Sequence, residues 1–440
     1  MFMEWYWALT ILLGGVVALL LCGLPVALAF FAVNIAGTFV FLRGDIGLTA
    51  MPIEYAFSIS KFTLVPVALF VLMGEILFQT GVAFRAIGAI DRLISRVPAR
   101  LSIVSIAGGT VFSSLSGSTI ANTAVLGDLL LPNMLKRGYH PTLAMGPIMA
   151  VGGIAMLIPP SALAVLLASL AERSIKDLLI AGIVPGIAMA ILFVLYVVLR
   201  ARSNPALAPA SEQVPSERGW ARWRPFIVDV LPLFTIFVVV VGSIFLRIAA
   251  PEEAAALGCI AAAIVAACYR KLTFANLMKS LRETAKINVM LLFIIAGSLT
   301  FSQVLQISGA TSGLLQQISA WELNQVSAMI LMMVVLLFLG CFMDQVSMAL
   351  LTLPFFLPIA DTLGMNSTWL MVMMLIAMEI SLLTPPFGLL LYVMQGVAPP
   401  QIRITQVYAA AIPFIGLEVF VMAILVLFPS VALWLPNLVR

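Results

Sequence analysis

The sequence predicts an all-α integral membrane protein with inverted repeats, each holding a re-entrant helical hairpin and a broken transmembrane helix. Three observations lead there: a composition too apolar for water, two proline landmarks that recur at one spacing, and opposed charges at matching turns. Of 440 residues, 63% are hydrophobic and 10% charged, whereas a soluble domain carries about 25% charged residues. Trp7 to Leu42, Leu178 to Leu199 and Ala328 to Met343 contain no charge. At roughly 20 apolar residues per span, about ten to twelve membrane segments are expected. Only helices and closed barrels satisfy backbone polar groups in hydrocarbon. These runs lack period-two alternation, so they are read as helices.

Met1 to Tyr6 has neither a basic region nor a small-residue cleavage site, so a first span is expected there and not a removable signal. Cys22, Cys259, Cys268 and Cys341 stand singly, without the spacing of a disulfide framework or metal site. When the loops are assigned to alternate sides, all but Arg43, Lys61, Arg173, Lys176, Arg247 and Arg440 of the 23 basic residues fall on one side. The positive-inside tendency makes that side cytoplasmic. Each basic group flanks an apolar span, so nucleic-acid binding is not needed to explain it.

The chain divides into scaffold helices and an amphipathic arm (1–100), a first transport repeat (101–199), a linker (200–225), second-half scaffold helices (226–326) and a second transport repeat (327–440). Two spans end by Leu42, and a loop with Pro52, Glu54 and Lys61 is expected before a third span from Phe62 to Phe84. From Arg85 to Arg100, Ile87, Ile90, Leu93 and Ile94 recur at helical spacing among basic residues, the pattern of a helix lying on the cytoplasmic lipid surface. Arg200 to Arg224 is rich in Pro, Ala and Ser and reads as the connection between halves.

Pro132 and Pro159 are 27 residues apart, as are Pro358 and Pro385, and each second proline begins a Pro-Pro pair. The common offset of 226 aligns Ser118 with Asp344. Lys136, Arg137 and His140 follow the first Leu-Pro, whereas Asp361 and Asn366 follow the second. Opposite charge at equivalent turns places them on opposite faces, as in inverted-repeat transporters.

Between Leu101 and Leu131 lies the hydroxyl- and amide-rich stretch Phe112 to Thr123, expected to turn a hairpin at Ser116 to Thr119. Small residues also serve helix packing, but packing alone does not call for Asn122. The equivalent tip is Met343 to Ser347, where Asp344 costs at least about 2.5 kcal/mol at mid-membrane unless paired or hydrated. The Pro-Pro pairs interrupt helices and free carbonyls. Such ends suit Na+, and half-helix N-termini suit anionic groups. Glu379 lies seven residues before Pro386 and is expected to face the interior, with a partner the sequence does not identify. A membrane enzyme using Ser116 or Ser118 with His140 is a weak competing reading. No Gly-rich loop ending in Lys-Ser/Thr is present, so transport energy is expected from an ion gradient or another subunit.

Phe112-Ser-Ser-Leu-Ser-Gly-Ser118, Leu131-Pro132 with Lys136-Arg-Gly-Tyr139, Ile158-Pro-Pro-Ser161, Ala181-Gly-Ile-Val-Pro-Gly186, Phe342-Met-Asp344 and Thr384-Pro-Pro-Phe-Gly388 occur in order along the chain. In these strings the sequence resembles the large membrane subunit of tripartite ATP-independent periplasmic (TRAP) transporters, within the ion-transporter superfamily. The resemblance implies an elevator mechanism and sodium-coupled uptake of an organic acid, with Na+ as coupling ion and no other cofactor. It also implies a periplasmic substrate-binding protein, a small four-helix membrane subunit, and a multi-pass place among the lipids of the bacterial inner membrane.

By that similarity, Ser116, Ser118, Asn122, Gly153, Pro159, Asp344, Ser347, Thr384 and Gly388 are the expected sodium ligands. Ser118, Thr119, Asp344, Gln345 and Ser381 are the expected substrate contacts. Ala377, Ser381 and Leu390 depart from the Asn, Gly and Asn frequent in the family, which thins the polar lining of the second break. A stand-alone Na+ or H+ carboxylate symporter of the same architecture, with no binding protein, is the alternative.

Overall fold

The computed structural model describes residues 4–42, 44–93, 97–116, 118–208, 220–341 and 343–439. Among them every regular element is helical. Seven helices are long and apolar enough to cross a membrane, with an eighth span if a pair bent by 46° counts as one.

Helices α1 (Trp5–Leu21) and α2 (Val26–Phe41) form from the first uncharged run. The segment expected as a loop around Pro52 is instead a helix, α3 (Asp45–Ile59). Its polar groups are satisfied by other helices: Asn34 Nδ2 donates to the Tyr55 hydroxyl at 3.1 Å, and Gln303 Nε2 donates to Glu54 Oε2 at 2.9 Å. Its Ile46, Ile53 and Phe57 face outward. The expected third span is α4 (Val65–Gln79), which stops short of Phe84 because Gly81 turns the chain at a φ of 70°. Helix α5 (Val82–Leu93) occupies the stretch expected as an amphipathic arm. Its apolar residues Val82, Ala86, Ile87, Ala89 and Ile90 are buried, and the helix packs on α6 (Arg100–Ser116) and on residues 226–230, so protein and not lipid covers that face.

Helix α6 turns back through α7 (Thr119–Lys136). Then come the bent pair α8 (Pro141–Leu157) and α9 (Ala162–Leu170), and the long α10 (Ile175–Ser203). The second half comprises α11 (Trp220–Pro225), α12 (Leu231–Phe245), α13 (Pro251–Cys268), α14 (Phe274–Ile307), α15 (Ala310–Ala320), α16 (Gln325–Leu339), α17 (Gln345–Thr362), α18 (Ser367–Leu383), α19 (Leu389–Val397), α20 (Ile404–Leu427) and α21 (Ser430–Val439). The bounds of α17 and α18 are those of α7 and α8 moved by 226 residues. The same offset carries α1 onto α12, α2 onto α13, α5 onto α15, and the pair α3 and α4 onto the single α14. The duplication thus extends well beyond the proline landmarks.

Both hairpins return to the face they enter. The Leu101 amide donates to the Tyr139 hydroxyl at 3.2 Å and Ser102 Oγ to the Leu143 carbonyl at 2.6 Å, closing the first. Gln325 Nε2 donates to the Leu363 carbonyl at 3.0 Å, closing the second. Helices α8 and α18 are buried along nearly their whole lengths, as befits helices apolar all round. They touch each other, and both touch α20. Around this core, α13 packs on α4 and α12, and α14 on α2, α3 and α4. This outer layer exposes Phe39, Val40, Phe234, Val238, Ile260 and Ile264, a surface suited to hydrocarbon.

Candidate functional site

Both hairpin tips and the second piece of the first broken helix converge on one cavity of about 300 Å³. Ser118, Thr119, Ile120 and Ala121 come from the start of α7, Asp344, Gln345 and Val346 from the start of α17, and Ala162, Leu163 and Leu166 from α9. The opposite wall is Val67, Val71 and Glu75 of α4 with Ile287, Met290 and Leu291 of α14. Three helix N-termini therefore face one space, which favours negative charge there.

Each N-terminus has a side-chain cap. Ser118 Oγ accepts from the Ala121 amide at 3.3 Å, and Ser161 Oγ from the Ala164 amide at 3.2 Å. At the position matching Ser118, Asp344 Oδ2 accepts from the Val346 and Ser347 amides at 3.0 and 3.3 Å, and Ser347 Oγ donates to Oδ1. Two backbone donors and one hydroxyl thereby answer the Asp344 carboxylate.

The expected site residues separate into groups. Ser118, Thr119, Asp344 and Gln345 line the cavity. Asn122 lies one turn beyond Ser118, fully buried, and neither its Oδ1 nor its Nδ2 has a hydrogen-bond partner. Buried amides are rarely left so, and an unpartnered carbonyl oxygen is a donor of the kind a small hard cation takes. Thr123 Oγ1 beside it is likewise buried and unpartnered. Gly153 packs on the side chain of Glu379. Pro159 begins the bend, and both Pro-Pro bonds are cis. Ser347, Thr384, Gly388 and Ser381 are not among the cavity-lining residues. Thr384 Oγ1 and Ser381 Oγ donate to the Ile380 and Met378 carbonyls, each at 2.7 Å, and Gly388 immediately precedes α19. The side chain of Ser116 lies outside the described residues. His140 caps α8, accepting from the Thr142 amide at 3.3 Å. The 18 residues of α7, ~27 Å of helix, separate it from Ser118, so no serine–histidine pair forms with Ser118.

Two acidic residues absent from the expected set meet this arrangement: Glu75 lines the cavity, and Glu379 lies behind Gln345, outside the lining. Glu379 is 1% exposed, its Oε2 lies 3.4 Å from Gln345 Nε2, and its Oε1 has no partner. A Cβ on Gly153 would sit 2.4 Å from Glu379 Cγ, and one on Gly152 would sit 2.1 Å from Thr119 Cγ2. The glycine pair thus lets Glu379 and the first tip meet on α8. Glu75 was hidden because it belongs to a wall that the repeat's prolines do not mark. Its place on α4 puts a carboxylate opposite both tips.

The model of the family described as tripartite ATP-independent periplasmic transporter, DctM component, matches residues 13–431. The chain is 32% identical over 383 residues to the C4-dicarboxylate TRAP transporter large permease protein DctM of Pseudomonas aeruginosa, covering 86% of each. It is 28% identical to the sialic acid TRAP transporter large permease protein SiaM of Vibrio cholerae, covering 96% of this chain and 97% of that one. It is also 28% identical, with the same coverage, to the ectoine/5-hydroxyectoine large permease protein UehC of Ruegeria pomeroyi. The solved Alcanivorax borkumensis YdaH transporter has the same fold at a TM-score of 0.63 and 15% identity, covering 90% of both chains.

Proposed function

The chain belongs to the DctM-component family of tripartite ATP-independent periplasmic transporters, and from that premise we propose sodium-coupled uptake of a small carboxylate by an elevator movement. As a family member it is a multi-pass membrane permease, in bacteria of the inner membrane, that takes up solute together with a substrate-binding protein and a small membrane subunit. In the proposal the moving core is α6 to α10 with α16 to α20, and the static scaffold is α1 to α4 with α12 to α14. The small partner is a four-helix subunit, and the solute arrives from a periplasmic binding protein.

The observation that carries the reading is the cavity between core and scaffold, bounded by both tips and three helix N-termini. Discontinuous helices of this kind hold substrates and ions in secondary transporters. The solute's carboxylate would take the free amides at the starts of α7 and α9. Asn122, with both amide atoms unpartnered, and the carboxylate of Asp344 are the groups that would hold sodium. The test is uptake into proteoliposomes containing the large and small subunits, with loaded binding protein outside. Uptake that rises with an inward sodium gradient supports the reading, and uptake indifferent to sodium refutes it.

A further inference from the structure

We propose that the carried solute is a zwitterion, whose positively charged group is held by Glu75 on the scaffold wall. The inference rests on the reading of this cavity as the substrate site and adds the charge pattern of what fills it.

The polar side chains lining the cavity are Glu75, Ser118, Thr119, Asp344 and Gln345. None is basic, and the adjoining stretches 112–117 and 342 contain no Lys, Arg or His. Among the described residues, two carboxylates and no cation line the cavity. Asp344 is already engaged with the start of α17. Glu75 is different: its Oε2 accepts one bond, from Gln79 Nε2 at 2.9 Å on its own helix. No ion pair joins Glu75 to a described cation, and Lys286, one residue before the wall position Ile287, is held by Glu283 at 2.7 Å.

Around Glu75 the wall is apolar, with Val67, Val71, Met290 and Leu291. A carboxylate in so apolar a wall is costly unless a partner answers it. A second carboxylate on the solute would be repelled, whereas an ammonium, especially an alkylated one, gains both charge and apolar contact. The N-termini of α7 and α9 thus face the cavity from the core side, where Asp344 already answers the start of α17, and Glu75 faces it from the scaffold side.

The test uses matched probes that differ only in the charged nitrogen: glycine betaine against tert-butylacetate, and γ-aminobutyrate against pentanoate, with succinate as the dianion. Binding to the purified chain with its small subunit is read by titration in sodium buffer, and the sodium-induced rise in melting temperature is read on the same samples. At least one zwitterion is expected to bind about tenfold or more tightly than its partner, with Glu75→Gln collapsing the difference and Glu75→Asp restoring part of it. Equal or tighter binding of the isosteres or succinate, a preference that survives Glu75→Gln, or no binding of either zwitterion overturns the inference. In each case a persisting sodium effect leaves the transport reading standing, and loss of both removes the two together.

Discussion

Nη2 of Arg173 lies 2.8 Å from both Oδ1 and Oδ2 of Asp361, joining the turn after α9 to the last turn of α17. With α8 and α9 read as one bent span, the turn after α9 is on the face opposite the turn after α7. Asp361, in the last turn of α17, stands at the second-half equivalent of the end of α7. Equivalent turns therefore lie on opposite faces, and the repeats are inverted in the folded chain.

Topology follows from this contact. In a background without the four native cysteines, Arg173→Cys and Asp361→Cys should react with a membrane-impermeant thiol reagent from the periplasm. His140→Cys should react only after the membrane is opened. Labelling of His140→Cys and Asp361→Cys from the same side contradicts the inversion.

Gly153→Ala should be damaging out of proportion to one methyl group. The new Cβ would stand 2.4 Å from Glu379 Cγ and 3.2 Å from its Cδ, and Glu379 is buried with little room to yield. Overpacking of this kind costs about 1–3 kcal/mol. A lowered melting temperature and reduced uptake are expected, and thermal melts beside uptake assays check both.

Glu418→Met should raise the melting temperature. Glu418 is fully buried on α20 and neither carboxylate oxygen has a hydrogen-bond partner. Replacing a poorly satisfied buried ionisable group by an apolar one of similar volume is often neutral or stabilising by about 1–4 kcal/mol. A marked fall in melting temperature would assign Glu418 a partner absent from this conformation.

The proline landmarks made the central part of the repeat legible, because two chain breaks at one spacing have no reason to coincide by chance. What escaped was set by tertiary contact. Pro52 and Glu54 look like loop residues until Tyr55 meets Asn34 and Glu54 meets Gln303. Carrying the 226-residue offset back to α14 was the available signal for α3. Ser118 and Asp344 were legible as tip residues, but their capping roles were not, since a cap depends on where the helix starts. Glu75 carried no local signal, because only the packing of α4 opposite the tips gives it a solute to face.

Lys61 and Glu172 form an ion pair at 2.5 Å, and Ser169 Oγ donates to the Thr63 carbonyl at 2.7 Å, so the α9–α10 turn is tied to the start of α4. Glu172 is 71% exposed, so Lys61→Ala should change stability by less than about 1 kcal/mol. In an elevator, however, this contact crosses between scaffold and core. Its loss should change the uptake rate at saturating solute, and initial rates in proteoliposomes read the effect.

The most direct measurement is sodium-dependent uptake by Asp344→Asn. Asn preserves the cap on α17, where Ala costs about 1 kcal/mol, so the variant removes the charge while keeping the helix start. A folded complex with wild-type melting temperature is expected, with its sodium-stimulated uptake lost. Uptake that retains the wild-type sodium dependence contradicts it.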